Sequence, residues 1–360
     1  MISAGFFPWQ RQLAQDWLGN RERFAHAWLI HGLAGIGKRE FALAAAAALL
    51  CESPEHGLAC GRCLACGWVS HGNHPDLKRI RPEALALEEG VDEASGEESS
   101  DGAAESSAAS AATKKAPSKD IRVDQIRSME SWFNHATHRG GWRVAVIYPA
   151  EALTTISGNA LLKVLEEPPA STVFLLVADA PDRLLPTLLS RCRRLALPTP
   201  SYEQAKEWLA GQGVKSADEW LAASGGAPVQ ARRAAQSESH ACPPWLEGML
   251  QNLQSGRAFD LASMADTLAK VPTPIWLDAL SRMTVDLNLS AHDLGPRYYP
   301  SQEKNLTAVA RNSDNKKLSD LGKWLSEQSR LGSHPLNAKL FAQAALQRVV
   351  MSCQPASKGR

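Results

Sequence analysis

The segment Gly32-Leu33-Ala34-Gly35-Ile36-Gly37-Lys38 constrains the fold of this chain more than any other. It follows a short apolar run, Ala27 to His31 (AWLIH), and it opens a helical run from Arg39 to Leu50. A buried strand that turns through glycines into a helix, with lysine at the helix start, is the arrangement of a phosphate-binding loop. The glycines let backbone N–H groups approach phosphate oxygens. The lysine reaches the β- and γ-phosphates, and a following Ser or Thr ligates magnesium. Here Arg39 stands at that last position, and a guanidinium has no lone pair to offer a metal. Gly32, Gly35, Gly37 and Lys38 are therefore the candidate cofactor-contact residues of a degenerate loop. The alternative is a plain glycine-rich turn.

The rest of the first half carries the same pattern. Val144 to Tyr148 (VAVIY), Val173 to Ala178 (VFLLVA) and Arg194 to Leu197 read as buried strands. Between them, Val123 to His135, Gly158 to Glu167 and Leu184 to Ser190 read as helices, the second stopped by Pro168-Pro169. Continuous apolar strands alternating with helices predict a parallel sheet covered on both faces. The strand ending Ile147-Tyr148-Pro149-Ala150-Glu151 lacks the acidic pair that a nucleotide hydrolase uses to hold magnesium and polarise water. Two separate parts of the magnesium site are missing, so ATP hydrolysis by this chain alone is not expected.

After Pro198-Thr199-Pro200 the pattern is helical throughout. Tyr202 to Ala210, Ala217 to Ser224 and Pro228 to Gln236 predict a small three-helix domain, and Cys242-Pro243-Pro244 marks its end. From Trp245 to Met351 helical spacing dominates, with Leu336, Leu340, Phe341, Ala344 and Ala345 read as one stripe. The expected division is an α/β domain over 1–198 followed by two all-α domains over 199–242 and 243–355. Within the first, Glu88 to Lys119 holds eight acidic and three basic residues and no aromatic. Such a stretch buries too little apolar surface to offset the entropy of ordering, and it is predicted to be a disordered insert at 88–119. The total formal charge of +1 then combines an acidic insert with a body of net +6. A near-neutral total excludes a wholly basic, histone-like binder, and a +6 body suits work beside nucleotides or DNA without showing contact with either.

Seven cysteines, an odd number, argue against a disulfide framework. The longest apolar run, Phe41 to Cys51, is too short for a membrane span, and Met1 to Arg11 shows no secretory pattern. The expected compartment is the cytoplasm. Four cysteines cluster: Cys60-Gly61-Arg62-Cys63-Leu64-Ala65-Cys66 holds two overlapping CxxC spacings, and Cys51 lies nine positions earlier. Four thiolates close a tetrahedral Zn²⁺ site with no open position, which is a structural site. Free buried thiols and an iron–sulfur cluster are the alternatives. His56, His71 and His74 are nearby substitutes of lower rank, and His74, before Pro75, is expected to serve a turn.

Ser190-Arg191-Cys192, followed by Arg193 and Arg194, lies between a helix and a strand. The bland reading is a solvated basic run. The sharper one is an arginine at a domain edge that neutralises charge developing on the γ-phosphate of a neighbour's nucleotide.

These elements together resemble the clamp-loader branch of the AAA+ family. The resemblance rests on His26-Ala27-Trp28-Leu29-Ile30 with its glycine loop, the inserted cysteine cluster, and His74-Pro75-Asp76. Asn159-Ala160-Leu161-Leu162-Lys163-Val164-Leu165-Glu166-Glu167-Pro168-Pro169 and Leu189-Ser190-Arg191-Cys192 complete it, with Pro335 to Leu340 as a weaker mark of the last collar helix. It implies an AAA+ P-loop domain, a helical lid and a helical collar in a five-membered ring with gamma/tau and delta subunits. That ring loads a sliding clamp onto primed DNA. Arg191, within Ser190-Arg191-Cys192, would act in trans as an arginine finger. Arg39 and Tyr148-Pro149 place the chain with the subunits that do not hydrolyse ATP. Gly226-Ala227-Pro228-Val229 stands where the motor subunits carry Gly-Ser-x-Arg, so a third nucleotide contact is missing. The competing readings are a self-sufficient AAA+ ATPase with an atypical site, supported by Lys38, and a zinc-containing DNA-binding module.

Overall fold

The computed structural model describes residues 5–19, 24–90, 117–133, 135–138, 141–256, 260–331 and 337–353. The chain divides into two compact units, Met1–Thr199 and Pro200–Arg360. Most of the predicted insert, 91–116, lies outside the described residues.

The first unit runs α1 (Arg11–Leu18), β1 (Ala27–His31), α2 (Lys38–Leu50), α3 (Leu64–His71), β2 (Leu77–Ile80), α4 (Glu83–Glu88) and α5 (Val123–Phe133). It continues through β3 (Arg143–Ile147), α6 (Thr155–Glu166), β4 (Thr172–Ala178), α7 (Pro186–Arg191) and β5 (Arg193–Ala196). All strand pairings are parallel, in the order β2-β3-β4-β1-β5. The period-2 alternation of a strand explains how one apolar run serves two cores. Along β4, Val173, Leu175 and Val177 pack with α1 and α2 on one face. Phe174, Leu176 and Ala178 pack with α5, α6 and α7 on the other. α2 is buried almost all round, and Ala44 to Ala48 are each 0% exposed. Alanine lets the helix backbone lie close to the sheet, which accounts for a run that periodicity alone could not orient.

Three sequence expectations change here. β2 was not anticipated, because Leu-Lys-Arg-Ile is half-exposed except at Ile80 and lacks a continuous apolar signal. The insert is ordered at its edges: Glu88 closes α4, and Glu89 is held by ion pairs. Composition placed both residues in the insert because the acidic, alanine-rich sequence that follows them carries no apolar signal. The last helix is rotated from the predicted stripe. Ala342, Ala345, Leu346 and Val349 are its buried face, whereas Leu340 is 63% exposed and Ala344 is exposed. Apolar residues surround that helix, so spacing did not single out a face; Leu336 lies outside the described residues.

The second unit is helical among the described residues. α8 (Tyr202–Gly211), α9 (Ala217–Ala223) and α10 (Pro228–Ser237) enclose a small core of Ala205, Leu209, Trp220, Leu221 and Ala231. α11 (Pro244–Ser255), α12 (Leu261–Leu268), α13 (Thr273–Ala291), α14 (Glu303–Arg311), α15 (Asn315–Leu331) and α16 (Ala338–Ser352) enclose a larger one. Trp276, Leu280, Met283, Leu287, Leu306, Leu321 and Leu346 are at its centre. α13 packs against α14 and α15, and α12 against α16. Among the described residues no helix is long and apolar enough to cross a membrane.

Candidate functional site

The glycine loop leaves the C-terminal end of β1, where parallel α/β sheets bind ligands. Gly32 has φ +148°, and a Cβ there would lie 2.9 Å from the Leu197 carbonyl oxygen. Gly37 has φ +89°, and a Cβ there would run into the Phe7 ring. Both positions therefore demand glycine. The N-terminal segment packs on the loop from outside. Trp9 Nε1 donates to Ile36 O at 3.1 Å, and the fully buried Gln10 donates to Ile36 O and Gly37 O, each at 3.0 Å.

Lys38 is only 4% exposed. Its Nζ donates to Gly32 O at 2.8 Å and Leu33 O at 2.6 Å, and pairs with Asp179 Oδ1 at 2.5 Å. An ammonium has three donors, and this one meets three protein oxygens. Asp179 comes from the turn just after β4.

The two sequence departures at the magnesium position meet on one carboxylate. Arg39 Nη1 donates to Glu89 Oε1 at 3.0 Å, and Tyr148, just past β3, donates its hydroxyl to Glu89 Oε2 at 2.9 Å. Arg81 Nε pairs with the same carboxylate at 3.0 Å, and Arg79 lies at 3.9 Å. Arg39 Nη2 also donates to Glu40 at 2.7 Å. Burial opposes the Arg39 charge, but Glu40 and Glu89 outweigh it and raise its pKa. Burial, followed by the Glu89 charge, raises the Tyr148 hydroxyl above its ordinary range, so the phenol stays a neutral donor. Glu151 sits on a 3-10 turn and accepts the Ala180 N–H. Sequence reasoning missed both Asp179 and Glu89. An acidic residue right after a buried strand is a signal that could have found Asp179.

Arg191 ends α7 and its side chain is 34% exposed. Its guanidinium pairs with Glu166 at the end of α6, Nε lying 2.9 Å from Oε1, and donates to Thr187 O at 3.0 Å. Ser190 Oγ donates to Thr187 O at 3.0 Å. Cys192 is buried, and burial pushes its thiol up to about 11, which suits a packing role. Arg193 stacks over Trp28 with its guanidinium carbon 5.7 Å from the ring centre. In the second unit, Val229 is buried, while Arg232 stacks on Trp208 at 5.3 Å and donates to Gln212 at 3.2 Å.

The four clustered cysteines converge. Cys51 follows α2, Cys63 caps the N-terminus of α3, and Cys66 lies on α3. The four sulfurs lie within 4.8 Å of one another, with Cys51 and Cys63 3.9 Å apart. Four thiolates about 2.3 Å from a tetrahedral zinc sit about 3.8 Å from each other, so the donor set fits one metal ion. Backbone N–H groups of Arg62 and Cys63 aim at the Cys60 sulfur and pull its thiol down to about 6. Cys60 N–H points at Cys51 Sγ, 3.3 Å away, and Cys66 N–H at Cys63 Sγ, 3.4 Å away. His74 serves a turn, its Nδ1 accepting the Asp76 N–H at 3.1 Å.

The sheet order and the glycine loop after inner strand β1 define an AAA+-type α/β protein. The family described as "DNA polymerase III, delta subunit" matches residues 10–201. DNA polymerase III subunit delta' of Pseudomonas aeruginosa is 33% identical over 352 residues, covering 95% of this chain and 97% of that protein. Its Escherichia coli counterpart is 31% identical over 61% of this chain and 56% of its own length. DNA polymerase III subunit tau of Salmonella typhimurium is 32% identical over 52% of this chain and 24% of its own length. The chain belongs to the DNA polymerase III delta-prime subunit family.

Proposed function

We propose that the chain is a non-catalytic clamp-loader subunit that lends Arg191 in trans to the nucleotide site of an adjacent gamma/tau subunit. The observation that carries this reading is a contrast. The chain's own loop lysine is bound by three protein oxygens, while Arg191 presents a half-buried guanidinium at the end of a helix. A guanidinium held by the Glu166 carboxylate and the Thr187 carbonyl of its own helix can exchange the carboxylate for a phosphate and keep the carbonyl. Glu166 would hold it in the meantime. The two packing centres of the second unit fit a lid over 199–242 and a collar over 243–355, and the collar would join delta and gamma/tau partners. The ring would then load the sliding clamp onto primed DNA. Zn²⁺ held by Cys51, Cys60, Cys63 and Cys66 would tie α2 to α3 as a structural ion.

In a reconstituted complex with gamma/tau and delta subunits, Arg191→Ala is expected to leave assembly intact and lower ATPase activity on primed DNA with clamp. Removing such an arginine costs roughly 10³–10⁵ in rate at the site it serves. Normal hydrolysis by the variant complex would refute the assignment. The reading of a self-sufficient ATPase draws on Lys38 alone. It requires turnover by the isolated chain that disappears in Lys38→Ala.

A further inference from the structure

We propose that Asp179 is a built-in counter-anion that keeps the glycine loop closed to phosphates. The proposal rests on the reading of this chain as a subunit without ATPase activity, and it names what shuts the site. Lys38 is buried, so its ammonium must find all its partners within the protein. Two of its three donors are taken by carbonyls of its own loop, Gly32 O and Leu33 O. The third faces Asp179, so no donor is left for an incoming anion.

The Asp179 side chain is 57% exposed while that of Lys38 is 3% exposed. The carboxylate is thus open to solvent while the ammonium it pairs with is not. It acts twice: it occupies the donor, and its charge repels a phosphate oxygen approaching the same point. Glu89 does the corresponding work one residue along, occupying the Arg39 guanidinium together with Arg81. Each cation at the loop's helix end is therefore neutralised from within. The Asp179 side chain is more than half exposed, and asparagine keeps an acceptor oxygen for the buried Lys38, so Asp179→Asn removes the charge while leaving the ammonium a partner. The ligand class admitted would be a polyphosphate anion, recognised by charge and by loop N–H groups.

The experiment titrates the purified full chain with inorganic tripolyphosphate, without divalent metal, by calorimetry. The wild-type chain and the variants Asp179→Asn, Asp179→Ser and Asp179→Asn/Lys38→Ala are compared, with circular dichroism to confirm folding. Both single variants are expected to bind at least about tenfold more tightly than wild type, and the double variant is expected to lose the gain. Equal affinity in wild type and both folded single variants, or a gain that survives Lys38→Ala, overturns the proposal. ATP turnover by the wild-type chain is measured in parallel. Lys38-dependent turnover there would defeat the non-catalytic reading and the closed loop together. A silent wild type without gain in the variants would defeat the closed loop alone.

Discussion

Glu89 shows how much one carboxylate can organise. It faces Arg39, Arg81 and the Tyr148 hydroxyl, with Arg79 close by, and its side chain is only 16% exposed. Removing it leaves guanidiniums that burial keeps from full hydration. Glu89→Ala is expected to destabilise the first unit by roughly 3–5 kcal/mol, the range for breaking a buried ion pair from one side. Tyr148→Phe removes one donor and keeps the ring, and should cost about 1–2 kcal/mol. Urea unfolding of the full chain, read by far-UV circular dichroism against wild type, checks both. A Glu89→Ala midpoint equal to wild type would mean that the cluster contributes nothing. Lys38 and Arg39 were legible because a strand, glycines and a helix surround them within a dozen positions. Glu89 was not, because two of its partners lie 50 positions back at Arg39 and 59 ahead at Tyr148, and Arg79 and Arg81 sit beyond an intervening helix. Its own neighbourhood, acidic and alanine-rich, pointed to solvent.

Among elements, legibility followed how completely one face or both were buried. β3 and β4 are buried at every residue, and their runs were read within one residue of their observed ends. The three helices of the small core were read nearly to their termini, because prolines and glycines punctuate them. β2 and the buried face of α16 escaped because neither carries a clean period. Strand order is set by pairing across the sheet, which no local pattern records. α13 illustrates a device invisible to pattern reading. Asp286, 0% exposed, accepts backbone N–H groups of Arg297, Tyr298 and Tyr299 at 2.7 to 3.1 Å. One side chain thereby fixes the chain entering α14. Burial raises the Asp286 pKa, with those N–H groups pulling it back. Asp286→Ala should lower stability by roughly 2–4 kcal/mol through several unpaired donors. Asn, which keeps an acceptor oxygen, should recover part of that. Equal losses in the two variants, measured by thermal unfolding, would show that shape rather than hydrogen bonding matters there.

At the scale of the whole molecule, each unit has its own pair of hydrophobic cores, and the cysteine cluster belongs to the first unit alone. The cluster connects the end of α2, whose alanine face lies against the sheet, to the start of α3. A bound ion there would replace a long stretch of apolar packing that the loop between Cys51 and Cys63 does not supply. Metal loss should therefore be felt locally and in one unit. The purified chain is expected to carry about one zinc and no visible-range absorbance, which separates it from an iron–sulfur protein. A strong chelator under reducing conditions should speed hydrogen exchange in α3 and the last turn of α2. Protection around Leu280 and Leu346 in the second unit should stay as it was. Cys60→Ser should reproduce the chelated pattern without chelator, since three thiolates leave the shell open. Folding free energy and metal binding are coupled in such sites, so exchange and zinc content must change together. A chain that purifies without metal yet exchanges α3 slowly would show that the four thiols hold the loop by packing and N–H···S contacts, and the structural-zinc assignment would fall.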